Sequence, residues 1–301
     1  MTLVALGSAA DGTVFRVTSS RRAESRSQHT QLLRLDGRTW VTVHAWPGKQ
    51  VLAACAAGDE VLCPALDGVL YACHLRTGNF RQAKLPDPAA EVSACAALDQ
   101  TTALMAGGQG TGLLFVNATD LTVTKRSLSE WGVSKPGRQV HTMSRVGARV
   151  YLGGAKGLLA VYENGAAREL TARPTFAAGE VLISSIAALA EDVYVAGYSS
   201  ATGHALFVVR DKVAQSAELP FPTSHQHGFG LSNWGDDLLV YADTIHRGLP
   251  GRWTRWGGDF TAPDIAAVEP MPGAESLCVI RASGRSFLLT RRGATELSDV
   301  Q

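Results

Sequence analysis

Ile183-Ser-Ser-Ile-Ala-Ala-Leu189, the turn Glu191-Asp192, Val193-Tyr-Val-Ala-Gly197, and then Ala205-Leu-Phe-Val-Val209 with the turn Asp211-Lys212 show the chain's architecture most plainly. This stretch holds three short apolar runs, and its two polar dipeptides sit between runs of β-forming residues, the pattern of consecutive hairpins. The first run is built largely of small residues, which a crowded central axis admits. The second is apolar throughout, as a strand covered on both faces should be.

Outward from this stretch the same grammar recurs along the chain. One set of turn signals falls at Asp11-Gly12, Gly58-Asp59, Asp99-Gln100, Gly147-Ala148, Glu191-Asp192, Gly235-Asp236 and Pro272-Gly273. Their mean pitch is about 43 residues, the repeat length of a four-stranded propeller blade. An interleaved set falls at Asp36-Gly37, Thr77-Gly78, Thr119-Asp120, Asn164-Gly165, Asp211-Lys212, Gly257-Gly258 and Arg292-Gly293. Two hairpins per repeat mean four strands per repeat. The expected fold is therefore all-β, a seven-bladed β-propeller with four antiparallel strands per blade. It would be one domain over residues 1–301, with approximate blades 1–48, 49–88, 89–136, 137–178, 179–226, 227–262 and 263–301.

Strand compositions support the count. Val51-Leu-Ala-Ala-Cys-Ala-Ala57, Val92-Ser-Ala-Cys-Ala-Ala-Leu98 and Ile265-Ala-Ala-Val268 match the small-residue inner run, and Cys55 and Cys95 fall at matching places within Ala-Cys-Ala-Ala. Outer runs such as Phe80-Arg-Gln-Ala-Lys-Leu85 are more polar, which protects an edge from pairing with other molecules. The alanine-rich segments 89–98 and 177–192 have helix propensity, but they keep the strand pitch. Trp40, Trp46, Trp234, Trp253 and Trp256 fall in or beside these runs and are expected to pack between blades.

Bulk properties narrow the function classes. The chain has 301 residues, 46% hydrophobic and 18% charged, with 31 glycines, enough apolar material for a core and too little charge for a disordered chain. A formal net charge of +1 supplies no field to gather nucleic acid or an anionic membrane. The first twelve residues lack a basic region and hold only a brief apolar run, so no export signal is expected and a cytoplasmic location is. Five cysteines, an odd number without a CxxC pair, read as reduced and buried.

Val150-Tyr-Leu-Gly-Gly-Ala-Lys-Gly157 and Val193-Tyr-Val-Ala-Gly197 resemble the WD40-like and YVTN-like class of bacterial propellers. The resemblance covers the whole length as architecture. It lacks the Trp-Asp ending, the kelch aromatic pair and the sialidase Asp box, so it implies a fold and carries no site residues.

In such a ring, loops joining second to third strands and loops joining blades open on one face, and the tight hairpins on the other. Length is spent on the first face: 19–28, 129–139, 173–180, 199–204, 220–228 and 244–251. These loops carry Arg21, Arg22, Trp131, Lys135, Arg138, Phe176, Tyr198, Phe221, His225, His227, His246 and Arg247, residue types that dominate protein interfaces. The leading expectation is a non-enzymatic protein-binding propeller, of the kind an immunity or antitoxin-type inhibitor or an assembly subunit would be. Its partner would be a protein, with no nucleic acid, membrane or cofactor.

Two alternatives come from other classes. His225-Gln-His227 with His246, and with His204 and His141 near the same face, is a candidate metal cluster for a lyase or hydrolase; Asp243, Glu180 and Glu130 are candidate carboxylates. Small-ligand or glycan recognition in the central funnel is the other. There is no GxSxG and no nucleotide fingerprint; Gly107-Gly-Gln-Gly-Thr-Gly112 joins strand to strand and reads as a loop lining the axis.

Overall fold

The computed structural model describes residues 2–21, 28–86, 91–107, 112–133, 139–170, 181–200, 203–222 and 228–299. Within them the chain forms strands throughout, with two short 3-10 helices, Leu128–Trp131 and Ala155–Gly157. None of the helices described is long and apolar enough to cross a membrane.

The tight turns do what their residues allow. Glu163 pairs with Ala166 around Asn164-Gly165, whose φ values are 52° and 80°. Arg210 pairs with Val213 around Asp211-Lys212, at 46° and 66°. Positive φ at both central residues matches the twist of the flanking strands, so these turns fix register as well as direction.

The strands described form five four-stranded sheets and one eight-stranded sheet. The eight-stranded sheet is two antiparallel meanders, residues 2–47 and 265–299, whose outer strands Thr39–Pro47 and Gly293–Asp299 pair in parallel, with Ser298 opposite Thr39 and Asp299 opposite Trp40. The strands thus group into seven meanders, here blades 1 to 7, over residues 2–47, 55–84, 92–127, 140–169, 182–217, 230–256 and 265–299. The first strand of each blade touches the first strand of the next, and Ile265–Pro270 of blade 7 touches Thr2–Ser8 of blade 1, so the inner strands close a ring. The chain is a β-propeller. The alanine-rich segments are inner strands, Val92–Ala97 and Leu182–Leu189, because packing on both neighbours outweighs a propensity of a few tenths of a kcal/mol per residue.

The core is divided among the seams, and each seam holds one apolar cluster. Second strands feed two clusters at once: Val61 and Cys63 face blade 1, whereas Leu62 between them faces blade 3. Trp40, Trp46 and Trp256 are buried in seams as expected. Trp234 packs edge-on to Trp256 at 4.7 Å, and Trp253 Nε1 donates to the Glu218 carbonyl at 3.2 Å.

The seam between blades 7 and 1 differs from the rest. Arg16, 1% exposed on the second strand of blade 1, donates to Ser286 Oγ at 2.6 Å, pairs with the Asp299 carboxylate, and lies 4.5 Å from the Trp40 ring centroid. Nearer the axis, Ser8 Oγ donates to Glu269 Oε1 at 2.7 Å. Polar contacts at two radii and the parallel strand pair at the rim join these blades.

Candidate functional site

On the face where second strands turn to third strands, blade 5 presents a row of three side chains. Leu182 begins its first strand, Tyr198 nearly ends its second, Asp192–Ser199, and His204 nearly begins its third, Gly203–Arg210. The ladder sets Leu182 opposite Tyr198 and Tyr198 opposite His204, so all three share one side of the sheet. Leu182 is 40% exposed and Tyr198 37%, and the Tyr198 and His204 rings are 4.8 Å apart. Gly228 lies against the His204 ring, which carries the row to Phe229 in the seam with blade 6. Phe221 packs edge-on to Phe229 at 6.1 Å and lies 5.8 Å from His246.

The residues expected at this face divide into three groups. Tyr198, Phe221 and His246 stand in or beside the row just described. Trp131 and Arg247 are committed to packing. Arg22, Lys135, Arg138, Phe176, His225 and His227 lie outside the described residues, as does the side chain of Arg21, whose backbone pairs with Gln28 at the end of its strand.

Trp131 sits in the 3-10 turn Leu128–Trp131, started by a reciprocal cap between Ser127 and Glu130. Its ring is half-buried between the Arg126 guanidinium, at 4.6 Å, and the edge of Tyr162, at 5.8 Å. Arg247 and His246 correct the sequence reading, which placed them in a loop over 244–251. Ile245–Leu249 is a strand paired on both sides, Leu238 opposite Gly248 and Ile245 opposite Trp256. The polar pair and Gly248 disguised it. Gly248 is needed because a Cβ there would meet the Arg252 carbonyl oxygen at 2.2 Å. Arg247 donates to Asp237 Oδ2 at 2.7 Å and covers the Trp234 ring at 4.4 Å, so it spends its charge inside the protein.

For metal chemistry, the described members of the histidine set do not converge. No three His, Cys, Asp or Glu side chains among the described residues stand together as a metal site. His246 Nε2 is 3.1 Å from Thr244 Oγ1, and burial together with the positive charge of Arg255 holds the imidazole below its usual pKa. His141 is exposed on the first strand of blade 4, and Glu130 is paired with Arg126 at 3.0 Å.

The axis holds a cavity of about 670 Å³ lined by all seven inner strands. Ala10, Gly58, Asp99 and Gln100 ring its mouth, so it opens on the short-hairpin face, away from the blade 5 row. Small side chains leave the space; polar ones line and brace it. Asn233 exchanges two hydrogen bonds with the Ala188 backbone, and Ser185 two with that of Leu231, so side chains stand in for a strand ladder between blades 5 and 6. Glu269 reaches the cavity wall, and burial pushes its carboxyl up to about 7 despite the Ser8 hydrogen bond. The buried Tyr241 phenol is pushed up to about 12 by burial and then by the Glu269 charge. The sequence reading passed over Glu269; its signal is a single acid in the apolar run Ala-Ala-Val-Glu-Pro.

No protein-family model matches the chain, and no curated protein does. Solved structures do. Virginiamycin B lyase from Staphylococcus aureus aligns with 96% of this chain and 94% of its own, at 12% identity and a TM-score of 0.67. BamB from Moraxella catarrhalis aligns with 96% and 85%, at 18% identity and a TM-score of 0.60. The extracellular domain of a putative one component system from B. thetaiotaomicron aligns with 98% of this chain, which spans 38% of that one, at 14% identity and a TM-score of 0.63. At these identities the likeness is one of fold.

Proposed function

We propose that this propeller is a non-enzymatic protein-binding scaffold whose partner docks on the loop-bearing face, centred on blade 5. The observation that carries the reading is the row Leu182, Tyr198, His204, in which Leu182 and Tyr198 are exposed and His204 is half-buried beside the Tyr198 ring. An exposed tyrosine beside an exposed leucine, held in strand register, is a pre-ordered apolar contact of the kind that anchors protein interfaces. A cognate effector, blocked as an immunity or antitoxin-type inhibitor blocks its target, or a neighbouring subunit of an assembly, fits such a face. Five unpaired thiols support a reducing, cytoplasmic setting.

The test is recovery of partner by the tagged protein. One dominant protein is expected to co-purify in stoichiometric amount, and Tyr198→Ala with Leu182→Ser should cut its recovery at least about tenfold at unchanged melting temperature, since a central aromatic anchor is typically worth ~2 kcal/mol. Full retention of the partner by this double variant would refute the face.

Small-ligand or glycan recognition in the axial cavity is the second reading, favoured by the half-buried Glu269 carboxyl beside Ser8 at its wall. A hydroxyl-rich ligand bound there should be lost in Glu269→Gln and retained in the Tyr198→Ala variant. The metal-dependent lyase or hydrolase reading has less support, because His246 is turned to Thr244 and Phe221.

A further inference from the structure

The twin Ala-Cys-Ala-Ala segments do not place their sulfurs alike. In blade 2 the first hairpin closes on Ala57 opposite Glu60, and Cys55 lies two residues before that closing pair. In blade 3 the hairpin closes one residue later, where the Leu98 N–H donates to the Thr102 carbonyl, and Cys95 lies three residues before it. An offset of one residue turns a side chain to the opposite side of its sheet. Cys55 therefore points forward to blade 3, and Cys95 points back to blade 2.

The packing agrees. Cys55 belongs to the cluster between blades 2 and 3, and Cys95 packs against that same cluster, whereas its neighbours Ala94 and Ala96 belong to the next seam. Both Cys55 and Cys95 line the axial cavity. Directly across the ladder from Cys95 is Met105, fully buried in the same cluster. Two thiols and a thioether thus belong to one cluster where the inner strands of blades 2 and 3 pack together.

We propose that Cys55 and Cys95 form a two-thiolate site for a soft monovalent cation, Cu(I), entered from the axial cavity, with the Met105 thioether beside it. Sulfur ligands select soft cations; Mg²⁺, Ca²⁺ and Mn²⁺ need an oxygen shell, and Zn²⁺ needs four ligands of which this cluster has two. Binding releases two protons: two thiols and Cu⁺ give a bis-thiolate Cu(I) anion and two H⁺, with no change of oxidation state. Because binding displaces both thiol protons, affinity should weaken as pH falls.

The experiment is an anaerobic titration of the whole protein with Cu(I) in the presence of a chromophoric Cu(I) chelator, which keeps weak surface sites empty. One equivalent is expected to bind, with sulfur-only coordination by X-ray absorption, and Cys55→Ser or Cys95→Ser should lower the affinity at least about a hundredfold, while Cys278→Ser binds as the parent does. Equal retention of Cu(I) by the Cys55→Ser, Cys95→Ser double variant would overturn the proposal. So would a parent protein that loses all Cu(I) to the chelator but forms a Cys55–Cys95 disulfide with a low-molecular-weight disulfide, which would assign the pair to redox chemistry. Should the serine variants fail to fold, alkylation of the parent decides: Cu(I) must protect Cys55 and Cys95 from iodoacetamide, and unchanged labelling overturns the site.

Discussion

At the scale of single residues, Glu269 is the clearest departure from what its surroundings prefer. Its carboxyl is raised to about 7 by burial, so the folded protein holds a proton that the unfolded chain releases near pH 4.3. Between these values the folded state binds more protons than the unfolded state, and stability falls as pH rises. The contribution is fully present below about pH 4 and lost above about pH 7. Glu269→Gln keeps the acceptor for Ser8 and removes the titration. It is expected to be close to neutral at pH 4 and to stabilise by roughly 1–3 kcal/mol at pH 8. Urea unfolding at the two pH values checks this, and an equal effect at both would contradict it. Cys95 teaches a different lesson at this scale. Its identity and its Ala-Cys-Ala-Ala frame are plain in the sequence, but its direction depends on a one-residue difference in hairpin closure that the matching frame conceals.

At the scale of elements, the glycines at or near the ends of the second strands of blades 3, 4 and 5 share a setting. In blades 3, 4 and 5 the inner strand breaks register where it passes Gly107, Gly154 and Gly197. The bulge brings inner-strand backbone against the glycines of blades 3 and 4: a Cβ on Gly154 would lie 1.7 Å from the Gln139 carbonyl oxygen, and one on Gly107 1.9 Å from that of Glu91. These contacts explain the glycine that ends Val150-Tyr-Leu-Gly-Gly154, within one of the two segments by which the chain resembles other propellers. Gly154→Ala must move backbone and should cost more than about 2 kcal/mol, lowering the unfolding midpoint in denaturant. A cost within about 0.5 kcal/mol would show that the inner strand is free to shift. The strand Ile245–Leu249 is the element misread from sequence, because two polar residues and a glycine inside a five-residue run erase its alternation. The packing of Arg247 on Trp234 and Asp237 supplies what the pattern lacks.

For the whole molecule, stability depends on closing the ring. Arg16 is buried where the two ends of the described chain meet, and its partner Asp299 lies 283 residues away. Arg16→Met fills the space next to Trp40 but leaves Ser286 and Asp299 without their donor. Because the Asp299 side chain is half-exposed, water compensates part of the loss, and the expected destabilisation is about 2–3 kcal/mol. Calorimetry should show it as a lower melting temperature with a single transition retained. A substitution without effect would mean that the parallel strand pair and the apolar seam close the ring unaided.

The repeat, the hairpin turns, the small inner and polar outer strands and the packing of Trp40, Trp46 and Trp256 between blades are legible in the sequence, because each is set by interactions within a few residues of chain. Which side chains meet across a seam is set by the folded ring and not by local sequence. That includes the joining of Arg16 to Asp299, the facing thiols of Cys55 and Cys95, the half-buried acid at the axis and the aromatic row on blade 5. Those meetings depend on strand register and on how seven meanders close into a ring, and a shift of one residue, invisible in composition, reverses the face on which every side chain of a strand is presented.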